Sequence, residues 1–229
     1  MTKVSVCVTS YGRIQSLDQC ILTFLNLNTY PIERFIVLED NPAVDLVLLK
    51  DKYPDVDFLK NESRIGQIKS IDKIYNMIDT EYIFHIEDDY IFGGNKNFIL
   101  DSIEILSRRP DIHQIWCRHS HDHMAENEGS YKTLFENNIL SIGNNIKYRM
   151  VSVPNTGNWC GFSFNPGLRR KSDYNKFFPN GYAEHMDNEN EPGVITEYKC
   201  NLIAMKNNYR AAHLVNGCCY NTGYNTSTY

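Results

Sequence analysis

Four short apolar runs, at residues 4–8, 35–38, 56–60 and 82–86, alternate with stretches of helical periodicity through the first half of the chain. Residues 16–27 carry Leu17, Cys20, Ile21, Phe24 and Leu25 on one face, and residues 67–78 carry Ile68, Ile71, Ile74, Tyr75 and Ile78. Residues 43–52 read as a further helix. Runs that are apolar throughout are buried on both faces of a sheet, and strands separated by helices of this length join by right-handed crossovers. The expected fold class is therefore α/β, with a mostly parallel central sheet flanked by helices. Ligands of such open sheets bind beyond the carboxyl ends of the strands. Four polar clusters stand there: Thr9-Ser10-Tyr11-Gly12-Arg13, Glu39-Asp40-Asn41, Asn61-Glu62-Ser63-Arg64 and Glu87-Asp88-Asp89.

The last cluster sets the sharpest chemical question. An apolar run ends abruptly in three carboxylates, and an apolar run resumes at Tyr90. An unpaired carboxylate is costly to bury, and a hard divalent cation such as Mg²⁺ or Mn²⁺ resolves the conflict by taking oxygen ligands. A solvated acidic turn is the other reading, and both stay open on these residues alone. The first turn lacks the glycine patterns of dinucleotide-binding and P-loop proteins, so neither NAD nor a P-loop nucleotide site is expected.

A net charge of -5 argues against a nucleic-acid partner. No stretch approaches the roughly 20 apolar residues of a membrane span. The opening Met1-Thr2-Lys3, followed at once by a strand, is read as lacking a signal peptide. Seven cysteines, an odd number without a CxxC pair, fit reduced, buried thiols and a cytoplasmic location. Further along, a helix is expected at 97–107, a strand at 112–117, strand-like alternation at 158–164 and a helix at 196–206, followed by an apolar segment at 209–215. The polar end, 221–229, is expected to be mobile or to order only around a ligand.

Five features together resemble the GT-A glycosyltransferases, enzymes that use nucleotide diphosphate sugars. Val4-Ser5-Val6-Cys7-Val8-Thr9-Ser10-Tyr11-Gly12-Arg13 is similar to that family's opening strand and turn. Val37-Leu38-Glu39-Asp40-Asn41 resembles its second strand, whose terminal acid meets the base or ribose, and Asn61-Glu62-Ser63-Arg64-Ile65-Gly66-Gln67 its nucleotide-capping loop. Glu87-Asp88-Asp89 resembles the DxD motif, with Glu in place of the first Asp. Glu197, followed by Asn208-Tyr209-Arg210, resembles the acid and "GYR" arrangement of inverting members, with Asn208 where Gly is usual. The resemblance implies a single GT-A domain, with a nucleotide-sugar-binding half at 1–92 and an acceptor-binding half at 93–229. It also leaves open that this chain is the catalytic piece of a longer, multi-domain enzyme.

The resemblance further implies a reaction and its residues. A Mn²⁺ or Mg²⁺ ion would be held by Asp89, with Glu87 as a further ligand and His213 as the candidate third, because Tyr220-Asn221-Thr222-Gly223 replaces the usual metal-binding His-x-Gly element. The donor, a UDP-sugar by the family's habit, would meet Thr9, Tyr11, Arg13, Asp40, Arg64, Glu87 and Asp88. Trp159 would form a sugar platform. Glu197 would be the base that takes the acceptor hydroxyl's proton, with Glu184 its main rival. The acceptor would be a glycan or glycoconjugate. Two other classes stay open: a zinc metallo-hydrolase built on His119, His121 and His123, which share one side of a strand at that spacing, and a silent sugar-binding or nucleotide-binding module.

Overall fold

The computed structural model describes residues 1–120, 122, 134–151, 160–189 and 191–222. The first half follows the expected alternation: β1 (Val4–Ser10), α1 (Ile14–Leu27), β2 (Arg34–Glu39), α2 (Val47–Lys52), β3 (Asp57–Lys60), α3 (Gln67–Asn76) and β4 (Tyr82–Glu87). It continues through β5 (Tyr90–Phe92), α4 (Phe98–Arg108), β6 (Ile112–Trp116), β7 (Leu140–Ile142), β8 (Ile146–Met150), β9 (Gly167–Arg170) and α5 (Lys171–Phe177). A 3₁₀ turn (Tyr182–His185), α6 (Gly193–Lys206), β10 (Arg210–Leu214) and β11 (Cys219–Asn221) complete it.

Among the described residues, nine strands form one sheet in the order β3-β2-β1-β4-β9-β6-β10-β8-β7. β3, β2, β1 and β4 are mutually parallel, and β10 runs parallel to β6. β9 lies antiparallel between β4 and β6, and β8 is antiparallel to β10. A small second sheet pairs β5 with β11. The sheet is thus a mostly parallel α/β sheet with a reversed strand near its middle, in a single domain.

Strand alternation assigns the two faces. Val4, Val6 and Val8 of β1, with Tyr82, Phe84 and Ile86 of β4, pack against α1 and α4 through Leu17, Ile21, Phe24, Phe98 and Ile105. Cys7 and Ile83 face the other way, onto Ile68, Ile71, Ile74 and Tyr75 of α3, Tyr182 of the 3₁₀ turn and Cys200 of α6. By the same period of two, Glu87 at the end of β4 faces the α3 and α6 side, and Asp88 faces the α1 side.

Two expected elements differ. Residues 43–46 are not helical, because Asn41 and Asp45 side chains accept the backbone N–H groups of Ala43 and Val47 and hold turns. Residues 160–164 are buried but form no strand. Their N–H groups go to side chains instead: Cys160 to Asn201, Ser163 to Gln114 and Phe164 to Glu197. The strand in this region is β9, whose sequence Gly-Leu-Arg-Arg carries little strand signal.

Gly167 lets β9 fit. A Cβ there would overlap the carbonyl oxygen of Ile115 on β6, and that oxygen belongs to backbone that cannot swing aside. Gly167→Ala is expected to cost about 3 kcal/mol, the upper end for overpacking, read as a lowered Tm in a thermal melt.

Candidate active site

The acidic turn after β4 sorts its three carboxylates by direction. Asp88 is fully buried and satisfied: Ser10 Oγ donates to its Oδ2 at 2.8 Å, and Arg13 holds it with Nε at 3.2 Å and with Nη2 on the other oxygen. Arg13 also reaches Asp89 Oδ2 through Nη1 at 3.3 Å. Arg13 and Asp88, both expected to meet the donor, are partners in a buried clamp that fixes the turn. Arg13 stands at the N-cap position of α1, and a buried carboxylate pairs with a guanidinium within reach. Burial still pushes the Asp88 carboxyl above its ordinary range, outweighing Arg13.

Asp89 Oδ1 is buried and accepts no hydrogen bond. The turn is pinned from the far end of the chain, where Thr222 donates to the Asp89 carbonyl from its N–H at 2.7 Å and its hydroxyl at 2.9 Å. Glu87 faces the α3 and α6 side, opposite to Asp88, and there Gln67 at the start of α3 donates to its Oε1. Burial raises the Glu87 pKa well above the ordinary value, and the negative charges of Asp89, Glu197 and Asp88 push it further, with Arg13 opposing.

Glu197 lies on α6 and shares this electrostatic neighbourhood. Its Oε2 accepts the Phe164 N–H at 2.8 Å and the Ser163 hydroxyl at 3.2 Å, and its Oε1 has no hydrogen-bond partner among the described residues. Asn165 continues the chain of contacts, donating to Ser163 Oγ at 2.7 Å and accepting from the Tyr90 hydroxyl at 2.6 Å. Burial raises the Glu197 carboxyl above its ordinary value against these hydrogen bonds and the positive field of Arg169. One oxygen is therefore fixed and the other open, the arrangement a proton acceptor needs.

On the donor side, the Arg64 guanidinium lies over the Tyr11 ring, 4.5 Å from its centroid. Asp40 Oδ1 accepts Asn61 Nδ2 and the Ile65 N–H, and its Oδ2 accepts the Gly66 N–H at 2.8 Å. It builds the loop that carries Arg64 and starts α3, with one acceptor position left on Oδ2. The acid with a spare oxygen is its neighbour Glu39, whose Oε1 accepts the Gly12 and Asn41 N–H groups while Oε2 is buried without a partner. Thr9, also expected to touch donor, is buried within β1 in register with Glu87 and supports the floor. A cavity of about 820 Å³ is lined by Arg64, Gln67 and Lys69 and by Glu189, Gly193 and Val194, and Gln67, which donates to Glu87, connects it to the acidic turn.

Among the described residues, His213, Glu184 and His119 do not line this cavity. His213, on β10, has its Nε2 bonded to the Arg118 carbonyl at 2.7 Å, its ring stacks on Phe135 at 4.3 Å, and burial pushes its pKa down to about 4. Glu184 is exposed on the 3₁₀ turn and accepts Asn180 Nδ2 at 3.0 Å. His119 bonds the Gly93 carbonyl at 3.0 Å and stacks on Tyr220. His121, His123, Trp159 and residues 223–229 lie outside the described residues. Ser163, which holds Glu197, and Asn165, which holds Ser163, belong to no motif; Gln67 entered only as the last residue of the loop at 61–67, and Glu39 only as part of its strand end.

Among the described residues, no three His, Cys, Asp or Glu side chains converge as a ready-made metal cage. The orphaned, buried Asp89 Oδ1 and the adjacent Glu87 nevertheless fit a hard cation that draws its other ligands from substrate phosphates and water. No helix among the described residues is long and apolar enough to cross a membrane.

No family model and no curated protein matches this sequence. Solved structures do match in fold. S. aureus TarS 1-349 superposes with a TM-score of 0.67 at 14% identity, over 97% of this chain and 61% of that one. A second TarS structure matches with the same TM-score at 14% identity over 96% of this chain, which spans only 37% of its length. The mannosyltransferase PcManGT from Pyrobaculum calidifontis, in complex with GDP-Man and Mn²⁺, gives a TM-score of 0.64 at 10% identity, over 98% of this chain and 58% of that one. TarS is also represented in complex with UDP-GlcNAc, at a TM-score of 0.61 and 15% identity over 96% of this chain and 58% of that one. The shared fold is the GT-A fold of glycosyltransferases.

Proposed function

We propose that this chain is a divalent-cation-dependent glycosyltransferase that moves a sugar, hexosyl or deoxyhexosyl, from a nucleotide diphosphate to a hydroxyl of a glycan or glycoconjugate. The observation that carries this reading is Glu197: a carboxylate with one oxygen fixed by Phe164 and Ser163 and the other open, beside the acids that end β4. The nucleotide-sugar complexes of the proteins sharing the fold support the same class of donor. UDP is the expected nucleotide, and the expected stereochemical course is inversion by direct displacement.

The acceptor hydroxyl gives its proton to Glu197 Oε1 as its oxygen bonds the anomeric carbon and the bond to the diphosphate breaks. Asp89 and Glu87 would hold Mn²⁺ or Mg²⁺, which supplies charge neutralisation to the leaving diphosphate when bound. Arg13 and Asp88 keep the metal-holding turn in place. Tyr11 and Arg64 face the nucleotide from the first turn and the α3 loop, with Glu39 below them.

Thermal stability against nucleotide diphosphates, with and without Mn²⁺, tests this directly. A ligand at 100 times its Kd adds about 2.7 kcal/mol of stability. One diphosphate is expected to stabilise the wild type only with metal, and Asp89→Ala to abolish the effect. Stabilisation by Zn²⁺ alone, with no response to any nucleotide, would sink the transferase reading in favour of hydrolase chemistry. Nucleotide binding without transfer to any acceptor would point to a silent module.

A further inference from the structure

Both hydrogen bonds to Glu197 come from Ser163 and Phe164, a dipeptide outside any strand. What fixes that dipeptide therefore fixes the base. Gln114 on β6 grips Ser163 at both backbone groups: its Nε2 donates to the Ser163 carbonyl at 2.7 Å, and its Oε1 accepts the Ser163 N–H at 3.2 Å. Arg169 on β9 donates to the same carbonyl through Nη2 at 3.1 Å. Gln114 and Arg169 are cross-strand partners in the β6–β9 register, so the pair is set by the sheet itself.

Arg169 is an expensive residue to keep there. It is 4% exposed, ion-pairs with no carboxylate among the described residues, and has the Tyr182 hydroxyl as its other polar neighbour. Arg169 borders, with His113 and Gln114, a small and mostly apolar cavity of about 20 Å³. A buried, unpaired guanidinium adds little to stability, and an apolar side chain of the same size would serve packing as well or better. Its positive charge also lowers the Glu197 carboxyl against the effect of burial.

We infer that Gln114 and Arg169 are positioning residues for the base: together they hold Ser163 so that Glu197 Oε1 points at the acceptor hydroxyl. This rests on the proposed transferase reading. The geometry assigns the two side chains to orientation of the base and gives them no contact with the acidic turn that holds the donor. Their loss is therefore expected in kcat and not in donor KM.

The test compares wild type, Gln114→Met, Arg169→Met, Arg169→Lys and Glu197→Gln, each first shown to be folded by its melt. Gln114→Met and Arg169→Met are expected to lower kcat about 10²-fold, the scale of an ångström-sized misplacement, with donor KM unchanged within about twofold. Arg169→Lys, which keeps a charged donor for the Ser163 carbonyl, is expected to regain about tenfold of that loss. Unchanged kcat in the folded variants, or a loss appearing in donor KM, overturns the inference. Should Arg169→Met not fold, Arg169→Lys and Gln114→Glu decide, because the glutamate removes the donor to Ser163 without removing bulk and is expected to lose kcat where the lysine keeps it. A wild type that transfers no sugar is a distinct result that overturns the transferase reading itself, and a Glu197→Gln that keeps full kcat overturns the assignment of the base and with it this inference.

Discussion

Glu197→Gln is expected to lower kcat about 10²–10⁴-fold, the usual contribution of a positioned general base, while metal-dependent nucleotide binding stays intact. The amide oxygen still accepts the Phe164 N–H and the Ser163 hydroxyl, so the local structure survives. Only the capacity to take a proton is lost. Burial holds the Glu197 carboxyl above its ordinary range, so in the wild type kcat is expected to rise with pH on a limb above the usual carboxylate value. Stability moves the other way. A carboxyl with a raised folded pKa binds its proton more tightly in the native chain than in the unfolded one, so its favourable contribution is present at low pH and lost as pH rises through the folded value. Glu197→Gln is therefore expected to melt above the wild type at pH 8, with the gap closing toward the ordinary carboxyl range near pH ~4.3. A variant with wild-type kcat, or one whose melt tracks wild type at every pH, contradicts this account of the base.

Arg13→Met is expected to destabilise the fold by about 3–5 kcal/mol, because it leaves Asp88 as an uncompensated buried charge. Asp88 is 0% exposed at the side chain and Arg13 11%, so solvent screens the pair little. For a chain of this length the loss corresponds to a Tm lower by roughly 10 °C. Replacing both partners, as Arg13→Met with Asp88→Leu, is expected to recover much of that loss, since a packed apolar pair is often no worse than a buried ion pair. A melt of the single variant within about 2 °C of wild type would mean that water reaches Asp88 and that the clamp does not fix the turn.

Much of the fold was legible because burial on both faces of a parallel sheet writes itself into continuous apolar runs. β1, β2, β3 and β4 and the helices α1 and α3 stand where that pattern places them, α2 is shorter by its first four residues, and the polar clusters do follow the strand ends. β9 was not legible: Gly167-Leu168-Arg169-Arg170 reads as a charged surface turn until the sheet closes around it. The sequence order of Glu87-Asp88-Asp89 marked an acidic site. It could not say which acid faces which way.

The sequence by itself determined the class of sheet, the location of the cleft at the strand ends, and the presence of carboxylates there. Those follow from local periodicity and from the cost of burying charge, and both act at short range. Only the tertiary structure decided which groups are spent on architecture and which are left for chemistry. It consumed Asp88 and Arg13 in a clamp, gave both oxygens of Asp40 to a loop, and packed His213 beneath Phe135. It left open Asp89 Oδ1, Glu39 Oε2 and Glu197 Oε1. The physical reason is that hydrogen bonds to buried carboxylates are satisfied by whichever donors the packed chain brings near, and those donors come from up to 78 residues away at Asp88 and 34 at Glu197.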